Sequence, residues 1–181
     1  MSPSAPTLHT PYEEHTPYDI MVGIWVGTAV SFSPTGEQIS SGLSRNVIYW
    51  HDRPTHKSKG KGQLHFRQDQ GLDKGTAPAG LTGLIFAEYD LEVTGKHALS
   101  VTPGLTLRGT ETRPDVYHFD GTEETGFRWY NSHHFTSPDE RHIMGPVVDK
   151  AGKVGLIHVQ IFTRVSYVVP DALHRHLADA A

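Results

Sequence analysis

The sequence predicts an all-β protein, a single antiparallel up-and-down β-barrel with short helices at its N- and C-terminal ends. Three observations carry that reading. Eighteen glycines and twelve prolines divide the chain into short runs rich in Val, Ile, Thr, Tyr, Phe and Trp, which is strand composition bounded by turn residues. The runs recur at nearly even spacing, the rhythm of a meander that closes into a barrel or folds as a sandwich. Finally, 181 residues with 36% hydrophobic and 20% charged side chains suit one domain with its own core, not a disordered polyelectrolyte.

The N-terminus carries a small repeat: His9-Thr10-Pro11-Tyr12-Glu13 returns as His15-Thr16-Pro17-Tyr18-Asp19. Each copy sets Thr at an N-cap, Pro at the first helical position and an acid at the third, a helix-start pattern. Residues 1–15 are expected to form a flexible arm, 16–170 the barrel and 171–181 a short helix or tail begun by Asp171. Strands are predicted near 24–33, 43–51, 63–69, 81–91, 97–102, 105–110, 115–119, 126–136, 140–148 and 154–168. Ser33-Pro34-Thr35-Gly36, Thr102-Pro103-Gly104, Phe119-Asp120-Gly121 and Asp149-Lys150-Ala151-Gly152 supply turns between them. Residues 52–62 and 74–80 read as long mobile loops, and Ser137-Pro138-Asp139-Glu140-Arg141-His142 as a polar hairpin turn with solvated charges.

Gly23-Ile24-Trp25-Val26-Gly27, with Ser31-Phe32-Ser33-Pro34-Thr35-Gly36-Glu37 behind it, resembles the first hairpin of the calycin superfamily. It is most similar to the lipocalin-like family of unassigned function related to phycobilin lyases. The resemblance covers residues 16–40 and implies a calycin-like barrel in which an arginine near the end of the last strand packs on the tryptophan. Arg164 stands at a suitable place, and Trp25 and Arg164 are therefore expected to close the barrel without doing chemistry. The physical basis agrees: a large aromatic fills the narrow end, and a guanidinium covers its π face while bonding nearby carbonyls.

Composition excludes several function classes. Cysteine is absent, which removes disulfides, thiolate catalysis and zinc–thiolate sites. A net charge of −4 supplies no basic surface for nucleic acid. No apolar run reaches the roughly 20 residues of a spanning helix, and no basic, apolar leader opens the chain. A soluble cytoplasmic protein with neither nucleic-acid nor membrane partners is expected. Phosphate-binding loops, a nucleophile elbow and H-E-x-x-H are missing, and no metal is expected.

Thirteen histidines remain to be explained; charging all of them would move the formal charge from −4 to +9. Residues 126–136 are the richest segment. Phe127, Trp129, Asn131, His133 and Phe135 share its more apolar face, and His134 must point the other way. In the last strand, alternation alone buries Ile157, Val159 and Ile161. Packing Arg164 on Trp25 instead turns Leu156, His158, Gln160 and Phe162 inward, and leaves an apolar outer stripe that a C-terminal helix or a second subunit would cover. The inward option is preferred, with a homodimer as one consequence.

The expected function is binding of a small, largely apolar organic molecule inside the barrel. Acid–base chemistry without a cofactor would follow, of lyase, isomerase or cyclase type, with His133, His158, Tyr130 and Glu88 as catalytic candidates. Trp129, Asn131, Phe135, Gln160 and Phe162 are the ligand-binding candidates. The alternative is a carrier or sensor that only holds the ligand. A third reading is haem binding, because His174-Arg175-His176-Leu177-Ala178 resembles the C-terminal His-Leu-x-Ala of nitrobindins, although Ser31-Phe32-Ser33-Pro34 replaces their tyrosine–proline motif.

Overall fold

A computed structural model describes residues 16–54, 57–68 and 87–171 with their side chains, and 69–70 and 85–86 as backbone. Ten strands appear where ten were predicted: β1 (Gly23–Phe32), β2 (Gln38–Asp52), β3 (Lys61–Gln70), β4 (Ile85–Thr94), β5 (His97–Ser100), β6 (Leu105–Arg113), β7 (Val116–Glu123), β8 (Arg128–Ser137), β9 (Glu140–Val148) and β10 (Val154–Ser166). Each pairs antiparallel with its sequence neighbour, and β10 returns to β1, so the sheet closes as an up-and-down barrel without edges. Among the described residues no helix is long and apolar enough to cross a membrane. The first copy of the N-terminal repeat, the predicted loop at 74–80, the tail helix beyond Asp171 and His176 lie outside the described residues.

The second copy of the repeat does what its residues require. Thr16 caps a 3-10 turn over Pro17–Met21, and Asp19 reaches back to the Thr16 N–H in a capping box. This turn plugs one end of the barrel. Tyr18 and Met21 are buried, the Tyr117 hydroxyl donates to the Pro17 carbonyl at 2.5 Å, and Asp19 accepts from Trp50 Nε1 and Arg53 at 2.9 Å each. The 52–62 segment is less of a loop than expected: β2 runs to Asp52, β3 starts at Lys61, and Pro54 is buried against Gly62.

Above the plug, Trp25 is fully buried and donates from Nε1 to the Met21 carbonyl at 2.8 Å. Arg164 lies directly across from it on β10, its guanidinium 4.3 Å from the indole ring. It donates to the carbonyls of Ile20, Val22 and Pro138 at 2.6–2.7 Å. One side chain thus ties the plug, the β8–β9 turn and the last strand together. That pairing decides the parity of β10: Gln160, Phe162 and Arg164 are buried while Ile161 and Val165 are 48% and 61% exposed.

The two glycines flanking the tryptophan are structural. Gly23 sits at φ +132°, and a Cβ there would lie 2.4 Å from the Ser166 carbonyl oxygen. At Gly27 a Cβ would lie 1.8 Å from the Ile161 carbonyl oxygen and 2.8 Å from the Phe162 Cα. Gly-x-Trp-x-Gly therefore records how closely β10 lies against β1 where the barrel shuts.

The β8–β9 hairpin corrects one expectation. Arg141 is not a solvated turn residue, because β9 begins at Glu140 and alternation carries the Arg141 side chain inside, where it is fully buried. Its guanidinium lies 4.7 Å from the Trp25 ring and 5.0 Å from that of Phe162. Nη2 donates to the buried Asn46 Oδ1; Nε and Nη1 have no hydrogen-bond partner among the described residues. Burial drags its pKa down to about 9, with Tyr89 opposing and Arg164 adding to the fall.

The close β1–β10 contact is testable by a pair of substitutions. Gly27→Ala is expected to lose about 3 kcal/mol of folding stability or more through overpacking. Gly155→Ala, whose added Cβ would meet nothing nearer than 3.8 Å, is expected to stay within about 0.5 kcal/mol of the parent. Urea denaturation of both decides it, and equal losses would refute the close-packing account.

Candidate functional site

Below the midplane the barrel is solid. Trp25, Phe135, Tyr117, Phe162, Ile48 and Leu64 fill it, with edge-on contacts of 5.7 Å from Phe135 to both Trp25 and Tyr117. Phe135 and Phe162, both candidates for ligand contact, belong to this layer. Neither lines the cavity, because Phe135 packs edge-on against Trp25 and Tyr117 and Phe162 lies beneath the Arg141 guanidinium.

The other half of the barrel is open. A cavity of about 440 Å³ is lined by Ser31, Phe66, Gln68, Ala87, Tyr89, Leu105, Glu123, Phe127, Trp129, Asn131, Val147, Leu156, His158 and Gln160. The volume falls in the range typical of small-molecule pockets. Every strand that reaches this level contributes its inward positions: Trp129 and Asn131 from β8, Leu156, His158 and Gln160 from β10, Phe66 and Gln68 from β3. Four sequence-derived candidates, Trp129, Asn131, His158 and Gln160, are brought together here. Aromatic and aliphatic walls are interspersed with polar groups from Ser31, Gln68, Glu123, Asn131, His158 and Gln160.

Those polar groups have defined states. His158 Nε2 lies 2.7 Å from Asn131 Oδ1, so Nε2 carries the proton and Nδ1 is left as the acceptor. Burial lowers the His158 pKa and keeps the ring neutral near pH 7. Tyr89 stacks flat on Phe66 at 4.8 Å. Burial raises its pKa, with Arg141 pulling the other way, and it remains a phenol.

His133 lies deeper than the cavity lining. It is 5% exposed and packs on Phe119 at 4.7 Å, and its Nδ1 has no partner among the described residues. Burial pulls its pKa well below the usual histidine value, and Arg141, His158 and His118 push the same way. A ring so placed is a neutral core histidine behind the cavity wall.

Tyr130 and Glu88 do not join these histidines. In β8 the inward set is Trp129, Asn131, His133 and Phe135, so Tyr130 points outward. It lies beside Arg128 at 5.7 Å, in an outer depression shared with Arg108 and His118. In β4 alternation sends Tyr89 inward and Glu88 and Asp90 outward. Glu88 meets His65 on the outside of the barrel, with Oε1 2.9 Å from His65 Nε2. His65 and His118 face outward as well, although His65 is fully buried. The proposed catalytic quartet is thus divided by the wall of the barrel.

Sequence reasoning placed Leu156 inward with His158 but missed Ser31, Gln68, Leu105, Glu123 and Val147 as lining residues. Their signal was positional: once β10 is oriented by Arg164, register transfers the inward parity from strand to strand. Arg141 was missed because a charge three residues past Pro138 reads as part of a turn.

No protein-family model matches the chain, and no curated protein matches it. Its fold is shared by solved structures. A DUF3598-family protein of unknown function from Nostoc punctiforme superimposes with a TM-score of 0.61 at 12% identity, covering 87% of this chain and 53% of its own. The chain thus spans about half the length of that protein. Rv2717c from M. tuberculosis superimposes with a TM-score of 0.54 at 15% identity, covering 80% of this chain and 92% of its own. At these identities the likeness shows the fold, which is compatible with a calycin-like barrel.

The buried histidine has a consequence for stability. His133 takes up protons in the unfolded state below pH ~6.5 but resists them when folded, so stability falls as pH drops from that value. The loss reaches about 1.4 kcal/mol per pH unit for this single group. Urea denaturation at pH 7.5 and 5.5 is expected to show the decline, and His133→Leu to flatten it. An unchanged slope in the variant would place the acid sensitivity elsewhere.

Proposed function

We propose that this protein is a binding barrel for a small, largely apolar organic molecule that carries one or two hydrogen-bonding groups. The observation that carries the reading is the half-open interior: a cavity of about 440 Å³ whose aromatic and aliphatic walls also present Ser31, Gln68, Glu123, Asn131, His158 and Gln160. Phe66, Trp129, Leu105, Val147 and Leu156 would hold the body of the ligand. His158 Nδ1 offers an acceptor, and the Gln160 and Gln68 amides offer donors and acceptors.

The carrier or sensor reading is favoured over acid–base catalysis for a geometric reason. A lyase or isomerase of the expected kind needs a second proton-transfer group beside His158. Of the candidates expected to pair with it, Tyr130 and Glu88 lie outside the barrel and His133 behind the wall. Glu123 and the neutral phenol of Tyr89 also line the cavity, and among the described residues they are the groups on which a catalytic reading would have to rest. The haem reading rests on His176, and a Soret band in the purified protein would establish it.

Cavity binding can be tested by blocking the space. Leu156→Trp is expected to abolish binding of small aromatic probes, followed by quenching of tryptophan fluorescence, while the thermal transition stays cooperative. His158→Ala is expected to weaken binding of hydrogen-bonding probes about tenfold, the worth of about one such bond. Undiminished binding by a folded Leu156→Trp variant would show that the cavity is not the site.

A further inference from the structure

The outer face of β2, β3 and β4 is an unusual place for charge. It holds His51, His65, Glu88 and Asp90 beside Tyr49, and the central imidazole is fully buried. We propose that this cluster is a divalent transition-metal site of the Zn²⁺ class, with His51 Nε2, His65 Nδ1 and the Asp90 carboxylate as ligands and Glu88 as the group that orients His65.

The donor set is two imidazoles and one carboxylate, which suits zinc and neighbouring first-row ions and leaves a coordination position open. The three ligand atoms already lie within 4.8 Å of one another. Tetrahedral ligands about 2.0–2.1 Å from an ion stand about 3.3 Å apart. His51 Nε2 and Asp90 Oδ1 are 3.4 Å apart, which is that spacing. His65 Nδ1 and Asp90 Oδ1 are 2.7 Å apart, a hydrogen bond. An ion binding between them takes the place of the Nδ1 proton, which leaves to solvent, and opens that pair by about 0.6 Å.

The surroundings are built as a metal site requires. Ligating histidines hand their other N–H to a carboxylate, which fixes the tautomer and the ring plane. Here His65 Nε2 meets Glu88 Oε1 at 2.9 Å. Asp90 is held by its own backbone, its N–H donating to Thr102 Oγ1 at 2.8 Å and its carbonyl accepting from the Val101 N–H at 3.0 Å. The Tyr49 ring packs on both imidazoles, 4.8 Å from His65 and 5.0 Å from His51. Three adjacent strands supply the ligands, and strands hold positions better than loops. The His51 and Asp90 side chains stay 19% and 13% exposed, so an ion can reach them from solvent. The site lies on the far side of the sheet from the cavity and is independent of the ligand-binding reading.

The test uses the full chain, freed of metal with a chelator and titrated with Zn²⁺ by calorimetry and thermal melting. One ion per chain with a micromolar or tighter Kd and a raised Tm are expected. His51→Ala and Asp90→Asn are each expected to weaken binding at least tenfold while the metal-free Tm remains close to the parent's. Glu88→Gln is expected to weaken it about tenfold by loosening His65. Absence of stoichiometric binding up to 100-fold excess Zn²⁺ overturns the proposal. So does undiminished binding by His51→Ala, which would assign the ion to histidines elsewhere in the chain. Should Asp90→Asn melt early, His51→Ala, whose side chain is partly exposed, carries the decision alone.

Discussion

Everything in this barrel hangs on the guanidinium of Arg164 lying over the indole of Trp25. The stack brings a cation to a π face, and the same guanidinium bonds three carbonyls from two other segments. Those carbonyls belong to the N-terminal plug and the β8–β9 turn, which are distant in sequence. Because the bonds are charge-assisted and sheltered from water, they are among the stronger ones available to a protein. Shifting β10 by one residue would expel Arg164 and reverse every side chain on that strand. The register of the closing strand pair therefore depends on this contact more than on the apolar pattern of β10.

A second cation divides the interior. Arg141 sits among Trp25, Phe135 and Phe162 with one hydrogen-bond partner and no described carboxylate beside it. The aromatic faces partly replace the water it has lost, and its lowered pKa records what they do not replace. Its positive field also helps to keep the neighbouring His133 neutral. The lower half of the barrel is therefore filled around a buried cation, and the cavity is confined to the upper half. This division separates Phe135 and Phe162 from Trp129 and Gln160, although all four alternate onto inward faces.

The outer surface is not uniformly solvated either. Val47 and Tyr49 pack with Val169 against the outside of the sheet, while His65 lies fully buried between two carboxylates. An imidazole with a carboxylate at each nitrogen is a strongly held group, and it stiffens β2, β3 and β4 together. The other side of the barrel differs: Met144 and Ile161 on β9 and β10 are 57% and 48% exposed. The two outer faces thus have opposite chemistry, one polar and sheltered, one apolar and open.

The Trp25–Arg164 closure was implied by the resemblance to calycins, and Phe119-Asp120-Gly121, expected as a turn, lies instead inside β7, with the turn following Glu123. The sequence by itself determined the ten strands, their other turns and the capped helical turn at Thr16. These follow from local grammar: Gly and Pro mark turns, β-branched and aromatic residues mark strands, and a Thr-Pro-x-Asp run can cap a helix. Alternation also determined which residues share a face, so Trp129, Asn131 and His133 were grouped correctly. Only the tertiary structure decided which face looks inward and how deep each position lies. Tyr130 and Glu88 were assigned inside by chemistry, and Arg141 outside by charge, because a period of two does not say which side is the core. Depth is subtler still: His133 and His158 both point inward, yet one is sealed behind the wall and the other lines the cavity. That difference is set by where the plug ends and the aromatic layer stops, which depends on strands far apart in the chain. The histidine cluster outside β2–β4 arises in the same way, from three residues up to 39 positions apart that only strand pairing brings together.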